Sequence, residues 1–456
     1  MASVIPNLQL QVSNRQIFKI ALPISLAILV PQLNFITNNI FLGHYDKYSG
    51  SQTLGVASIT GVYYLIFAAI GYGLNNGLQA LISRRAGENR PEEIGKIFNQ
   101  GVYIALGIAT LGILLTYFAA PAILRKTLHS ETTYTQAIHF LKIRIWGLPF
   151  LYIYQMRNAL LVGTNQSRYL VAGTLAEAVS NVFFDYVFIF GKLGFPELGF
   201  NGAAIASIIA EFTGMFVIFI VIVRKGISKR FSLFKSFKWD SLNSASIISM
   251  SAPLVFQSAI SLISWEFFYI LIERNADNQY DLAISNIMRN IFGVFGVLTW
   301  AFAATSNTMV SNIIGQGKKQ EVIPLIHRIV MLSTGLSLLV CLVMNLIPGL
   351  FLSVYGQGNE FIKQGIPVVR VVSFAMVLMS FSLIWLNAVT GTGNSRFSLY
   401  IEALAIILYG IYVFLVLEKF NLSIIFGWMS EWLYWMSLFI FSFIYIRSGK
   451  WKSKVI

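Results

Sequence analysis

The sequence places acidic and amide side chains at helical spacing within long apolar stretches. Glu177, Asn181 and Asp185 follow one another at intervals of four, so a helix carries them on one face. Asn34 and Asn38, also four apart, lie in an earlier stretch. A carboxyl group that is desolvated and rehydrated in turn can carry a proton, and carboxylate and amide oxygens together can ligate a sodium ion. We predict a cation-coupling site, with Asp185 as principal carrier. The alternative is a hydrogen-bond network that only fixes two helices.

A second group of polar residues occurs in the other half of the chain. Glu266 lies in one apolar stretch, and Asn286 and Arg289 lie in the next. They are predicted either to bind a cation or substrate, or to form a buried Glu–Arg pair that locks two helices. Glu211, Glu402 and Glu431 also fall within apolar stretches, and Glu402 and Glu431 are expected to add negative potential to a cavity.

Aromatic rings are a further set of candidates, because they can hold a cationic compound by cation–π attraction. Packing is the commoner role of any one ring in a chain with 37 Phe and 20 Tyr. The candidate rings are those of Tyr63, Trp265, Tyr269 and Trp300.

The composition indicates which elements position these residues. Of the 456 residues, 56% are hydrophobic and only 11% are charged. A water-soluble protein carries about 25% charged residues, so this chain lacks the charge to cover a water-facing surface. It instead contains twelve apolar stretches long enough to cross a bilayer as helices. These are 16–42, 53–82, 97–120, 136–161, 168–190, 199–223, 246–272, 282–312, 323–347, 361–389, 397–417 and 422–446.

The basic residues predict the orientation of the helices. The formal net charge of +14 comes from 33 Lys and Arg against 19 Asp and Glu. In a soluble protein this would suggest nucleic acid as a partner, but here the basic residues cluster in the loops that are internal when the N-terminus is internal. This pattern predicts a multi-pass protein of the bacterial cytoplasmic membrane, with both termini in the cytoplasm and no nucleic-acid partner.

The two halves of the chain resemble each other. Gly163-Thr-Asn-Gln-Ser-Arg168 matches Gly391-Thr-Gly-Asn-Ser-Arg396, and Ala21-Leu-Pro23 matches Ser251-Ala-Pro253. Each repeat holds an even number of helices, so both enter the membrane from the same side, related by a pseudo-twofold axis along its normal. The expected fold class is an all-α integral membrane protein, with twelve transmembrane helices in two six-helix lobes around a central cavity. The expected domains are an N-terminal lobe 1–223, a cytoplasmic basic linker 224–245 and a C-terminal lobe 246–456.

Short motifs in this frame resemble the multidrug and toxic compound extrusion (MATE) family. They are Leu22-Pro23 with Phe41-Leu-Gly43, Arg157 followed by Gly163 and Ser167-Arg168, Asn181-Val-Phe-Phe-Asp185, and Leu198-Gly-Phe-Asn-Gly-Ala-Ala-Ile-Ala206. Asn38 departs from the family, which often has an aspartate there. The resemblance also implies a functional glutamate in the seventh helix, where Glu266 lies.

The resemblance implies a secondary antiporter that exports small amphiphilic, often cationic organic compounds in exchange for protons or sodium ions. Lipid would surround it, and we expect a functional monomer. No P-loop or metal-binding motif occurs, so we expect no ATP, no cofactor, no metal beyond a sodium ion at Asp185, and no enzymatic activity. A lipid-linked sugar flippase of the same superfamily is one alternative, and a multispan membrane enzyme or a receptor-like protein is another. The choice between proton and sodium, and between the two lobes as the coupling site, stays open.

Overall fold

The computed structural model describes residues 8–49, 53–128, 130–235, 238–274, 280–353 and 358–454, and throughout these ranges the regular structure is helical. The α-helices are α1 Asn14–Ser49, α2 Thr53–Gly87, α3 Pro91–Phe118, α4 Ala120–Thr127, α5 Glu131–Arg144, α6 Leu148–Gly163, α7 Leu170–Phe190, α8 Gly199–Arg224, α9 Ile227–Arg230, α10 Ser241–Arg274, α11 Asp281–Gly315, α12 Val322–Leu346, α13 Pro348–Ser353, α14 Asn359–Gly391, α15 Ser395–Val413, α16 Ile424–Trp428 and α17 Ser430–Arg447. Four short 3₁₀ turns, Ile145–Gly147, Ser167–Tyr169, Lys319–Glu321 and Lys450–Ser453, and a π-helical turn, Phe414–Lys419, complete the regular structure of these ranges.

Ten helical segments of the described chain are long and apolar enough to cross a membrane. They coincide with the predicted stretches except the first and the fourth. The first predicted stretch lies inside α1, a helix of 36 residues, and the fourth runs through α5 and α6. A helix satisfies its own backbone hydrogen bonds, which is why it is stable in lipid.

The fourth predicted stretch is broken in its middle. The turn Ile145–Gly147 separates α5 from α6, and the amide of Leu148 donates to the carbonyl of Ile145. Pro149 follows, and without an N–H it cannot continue the α-helical ladder back to that carbonyl. The break places Arg144 at the last residue of α5, which packs against α8.

The segment predicted as a linker packs closely on α3. Phe231 is fully buried, and its carbonyl lies so close to Gly95 that a side chain at this position would have no room. Gln100 on α3 donates to the carbonyl of Lys238 at 2.9 Å and accepts from the hydroxyl of Ser244 at 3.1 Å. The described residues of this basic segment therefore pack against α3 in the first half of the chain.

The chain forms two compact units. Leu26–Ser251 belongs to the first, and Gln9–Ser25 joins Ala252–Ile456 in the second. In the second unit the amide of Leu10 donates to Asn312 Oδ1 at 2.9 Å, and Gln316 donates back to the carbonyl of Leu10 at 2.8 Å. The segment just before α1 is therefore held by the end of α11. The lobe boundaries 1–223 and 246–456 stay a prediction.

Candidate functional site

Three of the predicted site residues lie along one face of α7. Asn181 and Asp185 are buried, with 4% and 0% exposure, and Glu177 is partly exposed. A Cβ on Gly214 of the neighbouring α8 would lie 3.0 Å from both the Cβ and the Oε2 of Glu177. Glycine at this position therefore lets the Glu177 carboxyl lie directly against the backbone of α8.

A buried ion pair connects α5 and α8 in the same unit. Arg144 Nη2 lies 2.6 Å from Glu211 Oε1, and its Nη1 donates to Glu211 Oε2 at 2.9 Å. Tyr64 of α2 donates to Glu211 Oε1 at 3.1 Å and accepts from Arg144 Nη1 at 2.9 Å. The guanidinium also lies 3.8 Å from the centroid of the Tyr64 ring. Bidentate geometry of this kind is the strongest form of carboxylate recognition.

Gly147 in the α5–α6 break makes room for this pair. A Cβ there would collide with both Glu211 Oε2 and Arg144 Nη1. The break and the ion pair therefore depend on each other: the turn brings the backbone against the two charged groups, and glycine is the residue without a side chain to exclude them.

The charges of this region do not cancel. Arg144 acts electrostatically on Glu177 and Asp185 as well as on Glu211. These four groups, which we call the acid cluster, sum to −2 when all are ionised (one positive and three negative charges). A buried excess of negative charge is costly, so the cluster favours bound protons or a cation.

The second half of α1 packs at the end of α7. Phe41 and Tyr45 contact the ring of Phe190, with centroid distances of 6.1 and 6.5 Å. Asn38 is partly buried on α1, and the side chain of Asn34 lies outside the described part of the structure. That the side chain of Asn38 faces Asp185 stays a prediction.

An open groove runs beside the acid-bearing helix. Its volume is about 530 Å³, and Phe41 of α1 lines it together with Val179, Val182, Phe183 and Tyr186 of α7. Apolar and aromatic walls of this size suit a drug-sized molecule.

The second unit contains another buried carboxylate, that of Glu402 on α15. It accepts hydrogen bonds from Ser261 at 2.6 Å, from Gln257 at 3.3 Å and from Tyr434. Glu431 on α17 is also buried, with 2% exposure. The structure thus brings Glu402 into contact with α10 and α17.

The predicted grouping of Glu266, Asn286 and Arg289 does not form an ion pair. All three side chains are exposed, and no salt bridge joins Glu266 to Arg289 in the described chain. The guanidinium of Arg289 instead lies 5.4 Å from the ring centroid of Tyr269. Their role in cation or substrate binding stays a prediction.

The candidate aromatic residues have different surroundings. Trp265 packs on Tyr269 and Trp428, with ring centroids 6.2 and 6.4 Å apart. The hydroxyl of Tyr63 is 2.8 Å from Thr116 Oγ1, so it joins α2 to α3. Trp300 is partly buried on α11, beside Gly296.

The two halves of the chain both match one family model, MatE, over residues 23–187 and 253–415. These segments cover more than half of the 456 residues. This chain belongs to the MatE family. The matches begin 230 residues apart (253 − 23), the offset at which Pro23 and Pro253 align, so they agree with the predicted internal repeat.

Relatives of the family extend the similarity to nearly the whole chain. A protein of Thermotoga maritima named probable multidrug resistance protein NorM is 22% identical over 97% of this chain and 94% of its own length. A Synechocystis protein with the same name is 23% identical over 81% of this chain and 80% of its own. A solved outward-facing multidrug resistance MATE family transporter of the MOP superfamily superimposes with a TM-score of 0.87, at 16% identity and 98% coverage of both chains. The predicted family and the all-α membrane fold class are confirmed.

Sequence reasoning missed two residues of the MatE chain's site: Arg144, which belongs to the acid cluster, and Tyr64, which contacts it. Arg144 lies inside a predicted membrane-spanning stretch, and the rule that made Asp185 a candidate applies equally to it. Tyr64 gives no signal of its own, because its role comes from the approach of α2 to the Arg144–Glu211 pair.

Proposed function

We propose that this protein is a secondary active antiporter that exports small amphiphilic, cationic organic compounds across the bacterial cytoplasmic membrane in exchange for protons or sodium ions. The coupling site is the face of α7 that carries Glu177, Asn181 and Asp185, with Asn34 and Asn38 of α1 as further ligands. Both termini lie in the cytoplasm, and the functional protein is a monomer that uses no ATP.

The observation that carries this proposal is the acid cluster. Arg144 holds Glu211 in a bidentate pair, so the positive charge of the guanidinium is already balanced at close range. The carboxyl groups of Glu177 and Asp185 on α7 are therefore two further negative charges. Asp185 has 0% exposure in a helix that is long and apolar enough to span the membrane. A carboxyl group buried in this way is stabilised by taking up a proton or a small cation, and it can release either when the surroundings become hydrated.

The cargo follows from the groove and from the sign of the buried charge. The groove of about 530 Å³ has aromatic and apolar walls on α1 and α7. Such walls suit the apolar body of an amphiphile, and the excess negative charge of the acid cluster, which lies on a different face of α7, favours positively charged cargo. The names of the Thermotoga and Synechocystis relatives, probable multidrug resistance proteins, agree with such cargo.

The proposal is tested by efflux of tetraphenylphosphonium from proteoliposomes, with a proton gradient or a sodium gradient imposed one at a time. We expect the wild-type protein to export the probe with one of the two gradients. Asp185→Asn keeps the shape of the side chain and removes its charge, so we expect it to abolish gradient-driven export while the protein stays folded.

Glu92→Gln is the matched control. Glu92 is exposed at the start of α3, so its neutralisation is expected to leave export unchanged. Wild-type export by Asp185→Asn would remove the proposed coupling role of α7. Failure of the wild-type protein to export with either gradient would remove the antiport mechanism itself.

A further inference from the structure

A group of basic side chains lies at the turn between α14 and α15 in the second unit. Lys454, which follows the turn Lys450–Ser453, donates from Nζ to Asn394 Oδ1 at 2.8 Å. Asn394 donates in turn to the hydroxyl of Tyr445 on α17, also at 2.8 Å. Burial first, and then the positive charge of Arg396 in the first turn of α15, lower the pKa of the Lys454 ammonium. Two positive groups are therefore held close to each other.

Two more lysines join this group. Nζ of Lys319, in the turn before α12, donates to the carbonyl of Lys452. The ammonium of Lys452 is exposed and lies 6.0 Å from the ring centroid of Trp451. Trp451 is buried, with 1% exposure, and its indole donates to the carbonyl of Ile446 at 2.8 Å. The buried indole thus anchors the turn Lys450–Ser453, and this turn carries its lysines to the same place as Lys319.

The four basic residues, which we call the basic patch, are Lys319, Arg396, Lys452 and Lys454. In the described chain none of the four takes part in a salt bridge, and Glu321, two residues after Lys319, is also without one. The ammonium groups of Lys319 and Lys454 donate to neutral oxygens only. Four positive charges held together repel one another, so the basic patch favours an anionic partner.

Exposed apolar side chains extend from the basic patch along two membrane-spanning helices. On α15, Arg396 is followed by Tyr400, Leu404 and Ile407 at intervals of four, four and three, so they share one face, and all are exposed. On α17, against which α15 packs, Ile444 is exposed near the same end. A positive end and an apolar flank together fit a partner with an anionic head and apolar chains.

We propose that the basic patch binds the headgroup of an anionic phospholipid, with its acyl chains along the exposed apolar side chains of α15 and α17. Arg396 and Lys454 donate to the phosphate, and Lys319 and Lys452 add positive potential. Hydrogen bonds from a guanidinium or ammonium group to phosphate are about twice as strong as neutral ones. A zwitterionic lipid has no net negative charge, so it is held less tightly. Only the assignment of the headgroup to the cytoplasmic leaflet rests on the proposed orientation of the protein.

The test uses the full-length protein in mixed micelles of phosphatidylglycerol and phosphatidylcholine, without cargo or gradient. Native mass spectrometry counts the lipid molecules that stay bound as the mole fraction of phosphatidylglycerol rises. We expect the wild-type protein to retain phosphatidylglycerol in preference to phosphatidylcholine. Arg396→Gln/Lys454→Gln should retain one molecule of phosphatidylglycerol fewer. Its affinity for that molecule should fall about thirtyfold, because each basic residue near an anionic surface contributes about fivefold.

Three further variants make the result specific. Arg15→Gln/Arg328→Gln removes two exposed positive charges of the same unit outside the basic patch, and it should retain lipid as the wild-type protein does. Arg396→Lys/Lys454→Arg keeps both charges and should retain the lipid. Lys452→Gln changes one exposed side chain and should weaken binding about fivefold. This single variant keeps the test valid if Arg396→Gln/Lys454→Gln fails to fold.

Wild-type retention of phosphatidylglycerol by Arg396→Gln/Lys454→Gln would overturn the proposal. An equal loss in Arg15→Gln/Arg328→Gln would also overturn it, since the lipid would then respond to net charge alone. Displacement of phosphatidylglycerol by excess glycerol phosphate at constant ionic strength would assign the basic patch to a soluble phosphate compound instead. Lipid retention is measured without transport, so the proposed antiport and this site can fail independently of each other.

Discussion

Arg144 is expected to matter more to stability than Glu211, although the two form one ion pair. Arg144→Met changes the charge of the acid cluster from −2 to −3, because Glu177, Asp185 and Glu211 all remain. Glu211→Gln changes it from −2 to −1 and leaves Arg144 facing the two carboxyl groups of α7. The side chains of the pair are only 12% and 7% exposed, so solvent screens these charges little.

The magnitudes follow from this burial. Removing one partner of a buried pair and leaving the other uncompensated costs about 3–5 kcal/mol, which we expect for Arg144→Met. Glu211→Gln loses charge-assisted hydrogen bonds without stranding a guanidinium, so we expect a cost of about 1–3 kcal/mol. The double variant should be more stable than Arg144→Met, because it removes one of the uncompensated carboxyl groups.

The assay is equilibrium unfolding in mixed micelles titrated with SDS, followed by tryptophan fluorescence. Arg224→Met is the matched control, because Arg224 is exposed at the end of α8 and should tolerate the change. Acidification should reduce the destabilisation of Arg144→Met, since protonation neutralises the stranded carboxyl groups. A cost for Arg144→Met equal to or smaller than that of Glu211→Gln would refute the charge count of the cluster.

Three further predictions concern local packing and capping. Gly147→Ala should destabilise the protein in the same unfolding assay, because its Cβ collides with Arg144 and Glu211, whereas Gly61→Ala, with nothing within 4 Å of the new Cβ, should not. Gly95→Ala should release the segment around Phe231 and speed tryptic cleavage at Lys229 and Lys235, while Gly107→Ala on the same helix should leave the cleavage rate unchanged. Asp240 accepts from the amides of Leu242 and Asn243, both at 3.1 Å, and these hydrogen bonds, those of Asn243 above all, lower the pKa of its carboxyl. Asp240→Ala should therefore cost about 0.5–2 kcal/mol at neutral pH, and its difference from wild type in pH-dependent unfolding should vanish as the pH falls below about 4 and the carboxyl takes up a proton.

The family and the fold class could be predicted from the sequence because their signals are local and repeated. Twelve apolar stretches and a low charged fraction require a lipid-facing helical protein, and the matched motifs around Pro23 and Pro253 reveal the duplication. The spacing of Glu177, Asn181 and Asp185 also predicts one shared helical face, which α7 has.

The partners of these residues were decided only by the tertiary structure. Helical periodicity places a side chain on a face of its own helix, but it does not determine which neighbouring helix that face meets or at what depth. For this reason Arg144 and Glu211, 67 positions apart, form an ion pair that their spacing in the sequence does not predict. Glu266 and Arg289 lie on consecutive membrane-spanning helices, but they form no ion pair in the described chain. The same holds for Glu402 and Glu431: both are buried acids by sequence, but only packing gives Glu402 three donors and places Glu431 on the wall of a cavity.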